Sequence, residues 1–278
     1  FYDMYPDAVL PDFKLSTESG YARHPWCEKQ NALMDSEANF KSREERKDAQ
    51  RIYYGLCSWV DYNIGKIMDA LEASGMMDKT NIIYTSDHGD NVGARGLWGK
   101  SNMYQESAAI PMIAVGEDFE AGKQVTTPTS LLDVSETILD HFKAPLETSR
   151  VGKSLYAIAN EANDNERAVF SEYHAAGAVS GAFMLRKGRW KLIHYEGFEP
   201  ELFDLQADPE EITNLAGSEA YAGVQKQLYD ELYKICDPEE VSELAFFDQA
   251  KLIESYGGRE AALKLGAPGA TPPPSTAS

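Results

Sequence analysis

Cysteine is scarce in this chain of 278 residues: Cys27, Cys57 and Cys236 are the only three, far apart and without a CxxC or Cys/His spacing. That excludes a disulfide framework and a thiolate zinc site, and all three read as buried thiols. No run approaches the ~20 apolar residues that a membrane helix needs, so a membrane span is excluded for this stretch. Basic residues are few, 26 Lys+Arg against 45 Asp+Glu, for a formal net charge of −19. Such a field repels phosphate backbones and anionic headgroups, so neither nucleic acid nor membrane is expected as a partner. The acidity is spread along the chain and reads as a solvated surface. The chain opens at Phe1 in FYDMYPDAVLP, without an initiator Met, a basic n-region or an apolar h-region. It is expected to be the inside of a longer protein, which leaves the compartment, cytoplasmic or periplasmic, open.

What is present is an ordinary globular composition, 43% hydrophobic and 26% charged, long enough for one large or two modest domains. The first forty residues show no sustained period and read as irregular. From Ser42, with Glu45 three residues on, a capping-box pattern opens a long amphipathic helix on Ile52, Leu56, Val60, Ile64, Ile67 and Leu71, stopped by Gly75. NIIYTS (81–86) is a short β-rich run that ends abruptly in Asp87-His88-Gly89-Asp90, and a second apolar run spans Ile110 to Val115. A helical pattern then covers Ser130 to Phe142. This alternation predicts an α/β unit with a largely parallel sheet over residues 1–145.

After Pro145 short β-prone runs follow: Glu166–Tyr173, Ala182–Arg186 and Trp190–Tyr195, the last two joined by Lys187-Gly188-Arg189. They predict a hairpin in a smaller antiparallel α+β subdomain over 146–240, covered by a helix around Tyr221–Ile235. Asp208-Pro209-Glu210-Glu211 reads as a turn into a helix start. A helical extension (roughly Val241–Tyr256) and the tail APGATPPPSTAS complete a third segment, 241–278, in which the tail is expected to be extended or mobile.

The loop from Asp87 carries the chemistry. A carboxylate beside an imidazole at a strand end can offer hard oxygen and nitrogen ligands to a divalent cation, Gly89 allows a sharp turn, and Lys100 returns on the same loop to face an anion. Read from the residues alone, a turn-capping Asp87 and a surface His88 stand as an equal alternative.

SDHGDNVGARGLWGK followed by MYQESAAIPMI resembles the C-terminal metal-binding motif of the sulfatase family, in the alkaline-phosphatase-like superfamily, and most of all its choline-sulfatase-like and phosphonate-monoester-hydrolase-like members. SEYHAAG (171–177), MLRKGRWKLIHY (184–195) and LFDLQADPEEITNLA (202–216) extend the likeness over residues 1 to about 260. The resemblance implies a fold: the C-terminal part of an alkaline-phosphatase-like mixed or parallel sheet plus the antiparallel subdomain. It also implies roles: Asp87 and His88 as the second pair of ligands to one divalent cation, with Ca²⁺ the first choice and Mn²⁺ or Mg²⁺ the alternatives. Lys100 would contact the sulfate oxygens and His174 would lie on the substrate side. The implied activity is hydrolysis of a small sulfate ester, with phosphonate or phosphate diester hydrolysis and a noncatalytic fragment as alternatives.

The family's nucleophile is a formylglycine hydrate made from Cys or Ser in C/S-x-P/A-x-R, and no such motif occurs here. Cys236 alone offers the proline, with Glu240 where arginine belongs. Formylglycine, the first ligand pair and the central lysine and histidine are therefore expected upstream of Phe1, and this chain alone is expected to be inactive. After His174 the choline-sulfatase-like subgroup has Ala-Glu-Gly, whereas this chain has Ala175-Ala176-Gly177, which counts against a cationic substrate. Trp98 is expected behind the lysine loop and Glu106 as its anchor. Arg95 reads equally as a substrate contact or a salt-bridged side chain, and His24, His141 and His194 read as structural. A homo-oligomer formed through the C-terminal extension is a further expectation.

Overall fold

The computed structural model describes residues 1–33, 35–144 and 150–265. The lead-in, expected to be irregular, contains a short helix, α1 (Pro25–Asn31). Pro25 presets φ at the first helical position, and His24 Nδ1 accepts from the Trp26 N–H at 3.2 Å, so the first turn is capped. Seven residues are too few to hold a helix unaided. The burial of Trp26 and Cys27, with Trp26 Nε1 donating to the Ser180 carbonyl at 3.1 Å, supplies what periodicity does not.

α2 (Arg43–Ala73) begins where Ser42 predicts, its hydroxyl accepting from the Glu45 N–H at 3.3 Å. The Glu45 carboxylate reaches back to the Lys41 N–H, one residue beyond the position a capping box uses. The predicted apolar stripe is largely uncovered: Ile52, Leu56, Val60 and Ile67 are exposed, while Ile64 and Leu71 are half-buried. The face packed against this chain is polar, with Lys47, Gln50 and Gly55 buried. Cys57 on the same helix is exposed, so the reading of three buried thiols fails there.

β1 (Ile82–Thr85), α3 (Gln105–Ala108) and β2 (Met112–Val115) follow. β1 and β2 pair antiparallel, Ile82 opposite Val115 and Thr85 opposite Met112, so the parallel arrangement expected from the alternation is not found in this pair. A parallel partner needs a crossover of about a dozen residues or more, usually helical, that carries the chain back along the strand. Here α3 has only four residues and the connection stays at the carboxyl end of β1, so β2 starts where β1 stops. α4 (Leu131–His141) is opened by a reciprocal capping box between Ser130 and Asp133, and α5 (Leu155–Asn160) docks through the Leu155 N–H on Thr137 Oγ1 at 2.8 Å. The boundary expected at 145/146 lies outside the described residues.

β3 (Val169–Tyr173), β4 (Ala182–Lys187), β5 (Trp190–Tyr195) and β6 (Glu201–Asp204) form an antiparallel sheet in that order, with the expected hairpin at Gly188. One face packs on α6 (Ala222–Ile235), where Leu228 and Leu232 meet Phe183, Leu185, Leu192 and Leu202. The other face packs Met184, Ile193, Tyr195 and Phe203 on Trp26, Leu97, Met103 and Tyr104, which joins the sheet to α1 and to the segment between β1 and β2. Asp208 builds a turn, its carboxylate accepting from the Ile212 and Thr213 N–H groups at 2.8 Å. No helix starts there; α6 begins at Ala222. α7 (Pro238–Ser255), capped by Asp237, and α8 (Arg259–Lys264) complete the described chain. The tail predicted to be extended lies outside the described residues, and among those described no helix is long and apolar enough to cross a membrane.

Candidate active site

β1 delivers Asp87 and His88 to a loop whose backbone is held close to α3. The Gly89 N–H donates to the Ser107 carbonyl at 2.8 Å, and a Cβ at residue 89 would stand 2.0 Å from the Glu106 carbonyl oxygen, so only glycine fits. Asp87 Oδ1 accepts from the His88 N–H at 3.0 Å. His88 Nδ1 lies 2.8 Å from the Gly89 carbonyl oxygen, which can only accept. That contact places a proton on Nδ1, so Nε2 is the nitrogen left to face the Asp87 carboxylate. Nε2 lies 3.4 Å from Asp87 Oδ2. Two donors each ~2.3–2.6 Å from a shared ion at a right angle stand about that far apart, so a carboxylate and an imidazole in this arrangement suit one hard divalent cation. Slight burial pushes the Asp87 carboxyl up, but the His88 ring and the donated hydrogen bonds outweigh it and hold the group below its ordinary value. Among the described residues no group of three or more His, Cys, Asp or Glu side chains gathers, so the chain offers two donors rather than a full set.

The rest of the loop closes on itself. Asp90 Oδ1 accepts from the N–H groups of Val92 and Gly99 at 2.9 and 3.0 Å, and Asn91 donates through both its backbone and side chain to the Gly99 carbonyl at 2.7 Å. Lys100 follows this ring, exposed to solvent. Arg95 is 1% exposed, with φ 58°, and its Nη1 is 3.0 Å from Glu106 Oε2. Its Nη2 donates to the Glu211 carbonyl at 2.8 Å, and its guanidinium lies 3.8 Å over the Tyr104 ring. Of the two readings left open, the buried salt bridge is the one observed. Glu106 also pairs with Lys14. Burial pushes its carboxyl up, while Arg95 and Lys14 outweigh that and hold it below its usual range. Trp98 packs against Phe40, tilted at 4.6 Å between ring centres, and donates to Glu37. The loop is thus braced from behind by residues that do not face the Asp87 cleft.

Asp87 lines a cavity of about 590 Å³, bounded by the segment before α4 and by β3 and β4. His174 is not on that wall. It follows β3, packs edge-on against Phe183 at 5.2 Å and borders a small space under α7 with Ser242 and Gln249. The structure therefore brings Asp87 and His88 together and puts Lys100 on their loop, while His174 stands apart. His24 stacks on Tyr195 at 4.3 Å, His141 contacts Tyr156 and His194 contacts Tyr229.

One charged pair escaped sequence reasoning. Lys191 and Glu211 are both fully buried, 2.6 Å apart, and Gln105 of α3 joins them by accepting from Lys191 at 3.1 Å and donating its N–H to Glu211 at 2.7 Å. Burial pushes the Lys191 ammonium down, opposed by Glu211. The available signal was a lysine inside the apolar run WKLIHY.

A family model described as N-sulphoglucosamine sulphohydrolase, C-terminal, matches residues 93–237, and one described as Sulfatase matches residues 19–144. Choline-sulfatase of Rhizobium meliloti (strain 1021) is 39% identical over 183 residues, 64% of this chain and 35% of that protein. Arylsulfatase K of Rattus norvegicus is 35% identical over 186 residues, 63% of this chain and 33% of that protein. Among solved structures, the phosphonate monoester hydrolase from Silicibacter pomeroyi superposes with a TM-score of 0.73 at 28% identity, over 84% of this chain and 51% of that one. The chain thus spans about a third of the curated relatives it matches and about half of that structure.

Proposed function

The chain belongs to the sulfatase family, and from that premise we propose that it carries half of a metal-dependent site for hydrolysing small sulfate esters by formylglycine chemistry. Asp87 and His88 are the residues that would hold the divalent cation, Ca²⁺ first and Mn²⁺ or Mg²⁺ as alternatives. The observation that carries this reading is the pair itself: Nε2 and Oδ2 are 3.4 Å apart, with the imidazole tautomer set by the Gly89 carbonyl. When bound, such an ion supplies Lewis acidity toward sulfuryl oxygens. The Lys100 ammonium binds those oxygens and offsets the negative charge that grows on them. The ring from Asp90 to Gly99 and the Arg95–Glu106 brace keep the loop from yielding as charge develops. The nucleophile lies outside these residues, since none of the three cysteines stands in C/S-x-P/A-x-R. The chain alone is accordingly inactive.

The test is metal analysis and aryl sulfate turnover of the full-length enzyme beside its Asp87→Ala variant. Full activity with unchanged metal content in the variant overturns the assignment. The second reading, phosphonate or phosphate diester hydrolysis, is favoured by the superposition on the phosphonate monoester hydrolase; relative turnover of aryl sulfate and aryl phosphonate monoesters decides between them. Ala176, standing where the choline-sulfatase-like subgroup has a carboxylate, argues against a cationic ester. The apolar side chains exposed along α7, Leu244, Phe246 and Phe247, support self-association through the C-terminal extension.

A further inference from the structure

The cavity that Asp87 lines has two charged residues on its wall among the described residues, Asp87 and Arg186. Arg186 stands on β4 directly opposite Lys191 on β5, so both side chains emerge on the same face of the sheet. Like charges placed opposite each other are unfavourable unless each is matched. Lys191 is matched, fully buried against Glu211 at 2.6 Å. Arg186 has no counterpart: its Nε, like those of Arg46 and Arg95, is shielded from solvent with no hydrogen-bond partner, but whereas those two guanidiniums pair with Glu37 and Glu106, no ion pair or ring contact of the Arg186 guanidinium occurs among the described residues. In a chain of net charge −19, where other arginines such as Arg95, Arg167 and Arg189 are matched by carboxylates, one that lines a cavity and is paired with none is conspicuous. A desolvated guanidinium nitrogen without a partner is costly unless something arrives to accept from it. The rest of the wall is uncharged, with Gln105, Ser171, Thr127 and Thr129 set among apolar side chains such as Met112 and Phe170.

We propose that Arg186 is a specificity-determining residue that grips an oxyanion on the substrate, a carboxylate or a second sulfate, separate from the ester group handled at Asp87, His88 and Lys100. The planar fork of Arg offers two parallel N–H donors to such a group, which a lysine cannot reproduce. The substrate class is then a dianionic ester. The inference rests on the sulfatase reading, but its test is separable from it. In the full-length enzyme, kcat/KM is measured for phenyl sulfate, for phenyl sulfates carrying a ring carboxylate, and for phenyl disulfates; the two anionic arms tell which oxyanion is read. Wild type should favour at least one anionic ester over phenyl sulfate by on the order of 10-fold or more, the size expected for a charge-assisted bidentate contact. Arg186→Gln should collapse that ratio, and Arg186→Lys should restore it only in part.

Turnover of every ester without preference in wild type overturns the proposal without any variant being needed. So does an unchanged ratio in a folded Arg186→Gln protein. Turnover of none of the esters is instead the failure of the sulfatase reading; in that event calorimetric titration of wild type with phthalate and with benzoate decides, equal affinity overturning the role of Arg186 and tighter binding of the dianion supporting it.

Discussion

The two sheets differ in what covers them. In β3–β6 both faces are occupied, and Phe183, Leu185, Leu192 and Leu202 are 0% exposed. In β1–β2 the same kind of side chain stands in water: Ile113 and Val115 on β2 are 56% and 48% exposed, and much of the apolar stripe of α2, the helix before β1, is exposed as well. The four-stranded region closes its own core, whereas the two-stranded region is one layer of a larger arrangement, which fits a chain that spans about half of the solved structure it matches. The residues proposed to carry the chemistry collect on the second kind of surface. Asp87, His88 and Lys100 all belong to the loop between β1 and β2, and the well-packed sheet supports that segment from behind, through Leu97, Met103 and Tyr104 on its face and through the Lys191–Gln105 bond.

If that division of labour is correct, substitutions should separate activity from stability. Asp87→Ala in the full-length enzyme should remove most activity, by about 10³-fold or more, and lower cation content while leaving the thermal midpoint nearly unchanged, because the side chain is 79% exposed. A large loss of stability would erase the contrast. The converse change is Lys191→Met, which strands Glu211 without its partner and should cost about 3–5 kcal/mol in denaturant unfolding, whereas Lys191→Met combined with Glu211→Leu should recover much of it. A silent single substitution would show that the buried pair contributes nothing. Lys100→Ala should lower turnover by roughly 10²-fold with unaltered unfolding, the loss expected for one preorganised charge on the transition state.

A smaller effect sharpens the comparison within the packed sheet. Glu201 is buried and accepts from the Tyr104 and Tyr195 hydroxyls at 2.9 Å; burial raises its carboxyl above the ordinary 4.5, against the pull of His24 and the two phenols. A carboxyl raised in the folded state contributes stability that is complete below 4.5 and is lost as pH climbs through the raised value. Glu201→Gln should therefore flatten the decline of the thermal midpoint above pH 4.5, and an identical slope in both proteins would refute the burial argument. Least of all, alkylation at mild pH should mark exposed Cys57 and spare Cys27, whose thiol burial drives up to about 12.

The sequence made local features legible and tertiary ones not. Ser42, Gly75, Ser130 and the Gly188 turn are short-range signals, and each ends or begins an element where expected. α1 was missed because seven residues carry no usable period and owe their helix to Trp26 being buried against a distant strand. The antiparallel pairing of β1 and β2 was missed because the alternation of elements does not reveal that the connection lacks a crossover helix. Of the site, the Asp87–His88 pair and its loop were readable, since neighbours in sequence make them. Arg186, Lys191 and Glu211 were not, because only the sheet register and a turn twenty residues away reveal which charge is matched and which is left over.

The bond from Trp26 to Ser180 has a consequence in time. β3 to β6 each pair with the next strand in the chain, so that sheet needs only short loops to close and can assemble early. Trp26 must instead find Ser180 across 154 residues, a closure whose entropic cost precedes any reward from the contact. α1 is therefore expected to dock last in refolding and to leave first in unfolding, so its contact over Tyr195 is the first tie between the lead-in and the sheet to be lost as the molecule loosens.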